Sequence, residues 1–275
     1  MKRSVRHVVA GCFLLSSFWG GVCCVLQAQQ SRSAIVGQNL RFQPQLVTKT
    51  VSVINPPARG SVTMTLKGTG LAPNASGRAK LKMGDVEVTI EAEASGLGSP
   101  SSFGNQFETY VMWAITAAGK TFKLGVMEAV GNRFELNTKS AVRSFAIVVT
   151  AEPYEEVTRP ADTIVLEVPP GGQTVAARSE FLKGGYAPSE YVFTPIDTGA
   201  GYPPKIVQMY NARRIAKLAG AERNADFQTG EGLFNNVVFS AERQKKFTDV
   251  ILRQASTATQ YFEAARVKVL EPLLR

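Results

Sequence analysis

An antiparallel β-sandwich followed by packed helices is the architecture this sequence predicts. Three observations predict it. Apolar and polar residues alternate between 48 and 168. Pro and Gly crowd 169–204, and from 205 the apolar period lengthens to that of a helix. The 275 residues are 44% hydrophobic and 19% charged, which suits a globular chain with two cores and excludes a multi-span membrane protein.

The clearest strand is 86–94. Val86, Val88, Ile90, Ala92 and Ala94 share one face, and Glu87, Thr89, Glu91 and Glu93 share the other. In 61–67, Val62, Met64 and Leu66 point inward. Ala79, Leu81 and Met83 alternate with Lys80 and Lys82, and a turn through Gly84-Asp85 leads onward. Further strands are expected at 110–115, 121–126, 133–136, 145–150 and 163–168. The run 110–115 is nearly all apolar, so it is expected to be covered on both faces, with Trp113 in the core. Seven or eight short strands with regular turns give an immunoglobulin-like sandwich over 48–168.

The next stretch, 169–204, holds six Pro and six Gly and reads as a linker with one short strand near 191–194. Pro203-Pro204 then opens a helix carrying Ile206, Met209, Ile215 and Ala216, which ends near Gly220. A weaker helix spans 222–240, because Gly230 and Gly232 each cost up to about 1 kcal/mol relative to Ala. The strongest spans 243–270. Phe247, Ile251, Gln254, Ala258, Phe262, Ala265 and Val269 recur at the spacing of an antiparallel seam. The span 205–275 is therefore a helical hairpin or three-helix module.

The first 28 residues read as a signal peptide. Lys2, Arg3 and Arg6 precede the uncharged run 8–26, and cleavage is expected between Ala28 and Gln29, leaving 29–47 as an N-terminal extension. Two alternatives tether the chain to a membrane: an uncleaved anchor, or lipidation at Cys12, Cys23 or Cys24. All three cysteines and the single histidine, His7, lie in this leader. A cleaved chain has neither residue type. That excludes a Ser-His-Asp triad, a Cys nucleophile, a disulfide and His- or Cys-ligated transition metals. Chemistry by carboxylates, Lys, Tyr or Ser survives, as does calcium or magnesium on oxygen ligands. No cofactor, metal or catalytic residue is expected.

Losing Lys2, Arg3 and Arg6 lowers the formal charge from +9 to +6. The excess sits in 205–275, with 12 basic against 7 acidic residues, which suits an anionic envelope surface. Nucleic acid is not expected as a partner of an exported chain. Arg213, Arg214 and Lys217 gather on one helical turn with Arg223 just beyond, a candidate interaction patch. Glu152, Glu155 and Glu156, with Asp162 nearby, read as a solvated loop after a strand. Their alternatives are general acid–base work or a calcium site.

Tyr110–Trp113, Gly119, Leu124-Gly125, the run Phe145 to Pro153 and Pro160 together resemble the extracytoplasmic domain of anti-sigma-K factors, over roughly 105–168. The run Tyr210 to Glu222, with Gln260 to Arg266, is similar to a periplasmic helical domain of unknown function that often precedes an OmpA-type domain, over about 205–270. Gly230 and Gly232 depart from that second pattern. Neither anti-sigma activity nor peptidoglycan binding is expected to carry over. Both resemblances imply a bacterial envelope protein, periplasmic or outer-envelope associated, whose partner is an envelope protein or a cell-wall or membrane component. A non-enzymatic interaction or spacer module is the favoured function. A periplasmic sensory module and a carboxylate-based glycan-acting enzyme are the alternatives.

Overall fold

The structure, a computed structural model, describes residues 42–171, 174–188, 191–194, 201–243 and 247–274. The leader with its three cysteines and His7, and the expected cleavage point at Ala28 and Gln29, lie outside the described residues. The strands are β1 (Gln45–Ile54), β2 (Gly60–Gly68), β3 (Ser76–Met83), β4 (Val88–Ser95), β5 (Thr109–Ile115), β6 (Thr121–Val126), β7 (Glu128–Val130), β8 (Arg133–Ser140), β9 (Ala146–Glu152), β10 (Ile164–Glu167) and β11 (Thr174–Lys183). The helices are α1 (Pro204–Leu218), α2 (Ala225–Val238) and α3 (Asp249–Leu270).

Nine strands form one antiparallel sheet in the order β6-β5-β9-β10-β2-β3-β4-β8-β7. Alternation drives its curvature. Val88, Ile90, Ala92 and Ala94 of β4 are buried on one face while Glu91 and Glu93 stay at the surface. The sheet curls until β8 meets β6, where Thr138 Oγ1 donates to Leu124 O at 3.0 Å. Gly125 permits this approach. Its φ is 152°, and a Cβ there would lie 2.9 Å from Leu136 Cδ1. Inside the curl the rings of Tyr110 and Phe134 meet edge to face at 4.9 Å.

β5 and β9 are buried along their whole lengths, as an apolar central run requires. Trp113 is in the core, and its Nε1 donates to Thr150 Oγ1 at 2.9 Å. A two-stranded antiparallel ribbon, β1 with β11, runs in unbroken register from Gln45↔Lys183 to Ile54↔Thr174. The ribbon contacts β9.

Eight strands fall on the segments the alternation marks. Strand β7, three exposed residues paired with β8, is too short to show a period, and the sequence reading does not mark it; β1 and β11 differ for another reason. Strand β11 lies inside the expected linker 169–204, and β1 begins inside the expected extension 29–47. Among the described residues each strand is the other's only ladder partner, and they are far apart in sequence. Residues 191–194 are not a strand. Val86, expected inward, is 78% exposed, because β4 starts at Val88 after the turn.

The helices start and stop on local chemistry. Pro204 opens α1, and Gly220, at φ 78°, follows it. Asn224 caps α2 through Asp226 N, and Thr248 caps α3 through Ile251 N. Phe262 of α3 anchors the bundle, with its ring 5.2 Å from that of Phe227 on α2.

Candidate functional site

The carboxylates after β9 meet the helices at a buried junction. The expectation of a solvated loop does not hold for Glu152, which ends β9 with no exposure. The strand pleat puts Thr150 and Glu152 on one face, where Thr150 Oγ1 donates to Glu152 Oε1 at 2.5 Å. Ala161 N also donates to that oxygen, at 2.7 Å, while Oε2 has no hydrogen-bond partner among the described residues. Burial pushes this carboxyl up to about 8, so it holds its proton at neutral pH.

Beside it lies an ion pair that the sequence reading missed. Glu263 and Arg266 of α3 are 1% and 2% exposed. Arg266 Nε donates to Glu263 Oε2 at 2.7 Å and Arg266 Nη2 to Oε1 at 2.8 Å. Three further donors reach that carboxylate from the loop after β9. Tyr154 Oη donates at 2.7 Å, and Thr158 donates through N at 3.1 Å and Oγ1 at 2.9 Å. Burial raises the Glu263 carboxyl, but Arg266 and these donors outweigh it and hold the group below the ordinary range. Arg266 spends its remaining arm on Gly185 O at 2.8 Å and lies over the Tyr186 ring at 4.7 Å. The sequence signal was present. Glu263 and Arg266 flank the seam positions Phe262 and Ala265, where a charged residue has to be paired.

Glu155 and Glu156 form a second cluster around Ser256 of α3. Ser256 Oγ lies 3.1 Å from Glu155 Oε1 and also bonds Glu156 Oε1, so its one proton serves one carboxylate at a time. Lys205 of α1 pairs with Glu155. Burial pushes the Glu156 carboxyl up to about 7, and its Oε2 has no partner among the described residues. For Glu155 burial acts in the same direction, but Lys205 outweighs it and the net shift is down. Glu155 N donates to Gln208 Oε1 at 3.0 Å, and Asn211 Nδ2 donates to Gln106 O at 2.7 Å and Pro153 O at 3.1 Å. Asp162 joins through its backbone alone, accepting from Lys49 Nζ at 2.7 Å.

The basic patch is half-buried at Arg213, Arg214 and Lys217 and exposed at Arg223. Arg213 pairs with Glu231 and lies over the Phe234 ring at 4.5 Å. Arg214 donates to Thr194 O at 2.7 Å and Asn211 Oδ1 at 3.0 Å, over the Phe193 ring at 4.5 Å. Lys217 reaches Glu222 at 3.8 Å, and Arg223 is exposed. The structure therefore packs Arg213 and Arg214 against aromatic rings, while Lys217 and Arg223 have no such ring contact among the described residues.

Among the described residues, no group of three or more His, Cys, Asp or Glu stands ready to hold a metal ion. No described helix is long and apolar enough to cross a membrane. No protein-family model and no curated protein matches the chain.

Proposed function

We propose that the chain is a non-enzymatic, exported cell-envelope protein whose sheet and helices act as one rigid interaction module. The carrying observation is the buried junction. Glu155, Glu156 and Glu263 hold internal donors, and those contacts, with Glu155 N on Gln208, fasten α1 and α3 to the loop after β9, while Glu152 ties that loop to β9 through Ala161. A spacer that swings on a flexible linker has no such fastening, so interaction is favoured over spacing.

The pair Glu155 and Glu156 has the split protonation of an acid–base couple. Access argues against using it so. Glu156 Oε2 is enclosed, and Glu155 Oε1 is already engaged by Lys205 and Ser256. A sensory role is the second reading. Most of the residues that resemble the anti-sigma-K ectodomain fall on β5, β6 and β9, three neighbouring strands of the sheet, with Gly119 in the turn between β5 and β6 and Pro160 in the loop after β9. The immunoglobulin-like description of the β part is supported by its antiparallel ladders and by the contact of the ribbon with β9. The meeting of β6 with β8 draws it towards a barrel.

The test is the full chain with a C-terminal tag in a bacterial host, with a photo-crosslinking residue at Lys217 or Arg223. The expected result is an envelope-fraction protein whose mass starts at Gln29 and which gives a discrete crosslinked adduct. A chain of full mass confined to the cytoplasm overturns export. Turnover of a glycan by the purified protein overturns the non-enzymatic assignment.

A further inference from the structure

Strand β11 has β1 on one edge and an interrupted cover on the other. Leu182 N donates to Pro160 O at 2.8 Å, and Asp162 N donates to Leu182 O at 2.9 Å. The backbone groups of Leu182 therefore point away from β1. In an antiparallel ladder this outward set recurs at every second residue, and the ribbon register is unbroken. The N–H and C=O of Glu180 and Arg178 point outward as well. At Arg178 the turn through Gly119 covers the edge so closely that a Cβ on Gly119 would lie 2.1 Å from Arg178 O. Ser179 Oγ pins that turn by donating to Gly119 O at 2.9 Å. Between the two covers, no such bond is made at Glu180 among the described residues.

An open cleft of about 630 Å³ lies at this gap. Its lining includes Lys120 from the turn, Thr158 and Arg159 from the loop after β9, and Arg178 and Glu180 from the strand. Arg178 makes no ion pair among the described residues. Lys120 lies over the Phe122 ring at 4.9 Å and also has no carboxylate partner there. Arg159 has only a long pair with Glu271, at 3.8 Å. Three cationic residues thus border the cleft with one carboxylate residue, Glu180, and no aromatic residue lines it. A polar cleft of this kind does not suit an apolar ligand.

We infer that this cleft binds a phosphate group, held by Lys120, Arg159 and Arg178 with the outward N–H of Glu180. The net lining charge of +2 matches a group carrying about −1.5 to −2 at neutral pH. The inference rests on the interaction-module reading and narrows it to a phosphate-bearing ligand, free or as part of a polymer.

The experiment is calorimetric titration of the purified chain, as recovered from the envelope fraction, with inorganic phosphate and with a polyphosphate chain. Both are expected to saturate one site and to weaken as salt rises. Arg178→Ala is expected to weaken binding about tenfold or more, the value of one charged hydrogen bond. Arg178 is exposed, so the melting temperature of this variant should stay unchanged. Arg78→Ala, on a distant strand face, is the charge control and should leave binding as it was. Equal affinity per phosphate for both probes assigns a free anion, and a much tighter polyphosphate complex assigns a polymer. Absence of saturation with either probe, or equal weakening by both variants, overturns the inference. If crosslinked adducts persist in either case, the interaction module itself stands.

Discussion

On the outer face of the sheet Arg78 pairs with Glu93 at 2.8 Å, with side chains 66% and 33% exposed; at the junction Arg266 pairs with Glu263 at 2.7 Å, with side chains 3% and 2% exposed. The distances are nearly equal, and the energies are not. Water screens the outer pair and solvates its halves when it opens, so such pairs contribute about 0–1 kcal/mol. The junction pair has no water to fall back on. Breaking it strands a buried charge, at about 3–5 kcal/mol. The contrast shows which charged residues of this chain build the fold and which only cover it.

Glu263→Ala carries the largest expected effect. It should cost about 3–5 kcal/mol in chemical denaturation, because Arg266, Tyr154 and Thr158 all lose their acceptor. Replacing Glu263 and Arg266 together by Leu and Met should recover a large part of that loss. A loss below about 1 kcal/mol for the single variant would erase the difference between the two regions.

Next comes pH. Glu152 and Glu156 are raised to about 8 and about 7 from an ordinary 4.5, so the folded protein holds protons that the unfolded chain releases. Stability from these groups is full below pH 4.5 and falls as pH rises towards 7 to 8. Glu263 works in the opposite direction: its lowered carboxyl stabilises above the ordinary carboxylate range, and that share is lost on acidification. Unfolding free energy should therefore drop between about pH 4.5 and 8, and Glu152→Gln should flatten the drop. An unaltered slope in that variant would remove Glu152 as its source.

The two helix glycines separate packing from propensity. A Cβ on Gly230 would meet the Phe262 ring at 2.8 Å, whereas nothing lies within 4 Å of one on Gly232. Gly230→Ala should cost about 1–3 kcal/mol by overpacking. Gly232→Ala should stabilise by up to about 1 kcal/mol. Thermal unfolding of both, side by side, checks the sign. The smallest effect belongs to the outer face. Arg78→Ala should cost about 0.2–1 kcal/mol at low salt, and raising the salt should shrink that further.

Local pattern placed most of the elements. Period-two alternation found β2 to β6 and β8 to β10, and the apolar seam with Pro and Gly punctuation found all three helices. Their register and their burial follow from side chains a few residues apart, which a sequence displays directly. The same reading missed β7, three residues too short to show a period. It also missed β1 and β11, took the Glu152 group for a solvated loop, and read Gly230 as a weakness. Each of these last misses concerns a contact between distant segments: Val51 against Ala177, Tyr154 against Glu263, Gly230 against Phe262. By itself the sequence determined eight of the eleven described strands, the three helices, the crowding of acids after β9 and the confinement of Cys and His to the first 28 residues, because these are properties of neighbours in the chain. Only the tertiary structure decided which acids are buried, which cations are left unpaired at the β11 edge, and that 169–204 holds a strand. Burial and pairing depend on what the fold brings across from elsewhere, and no local period records that.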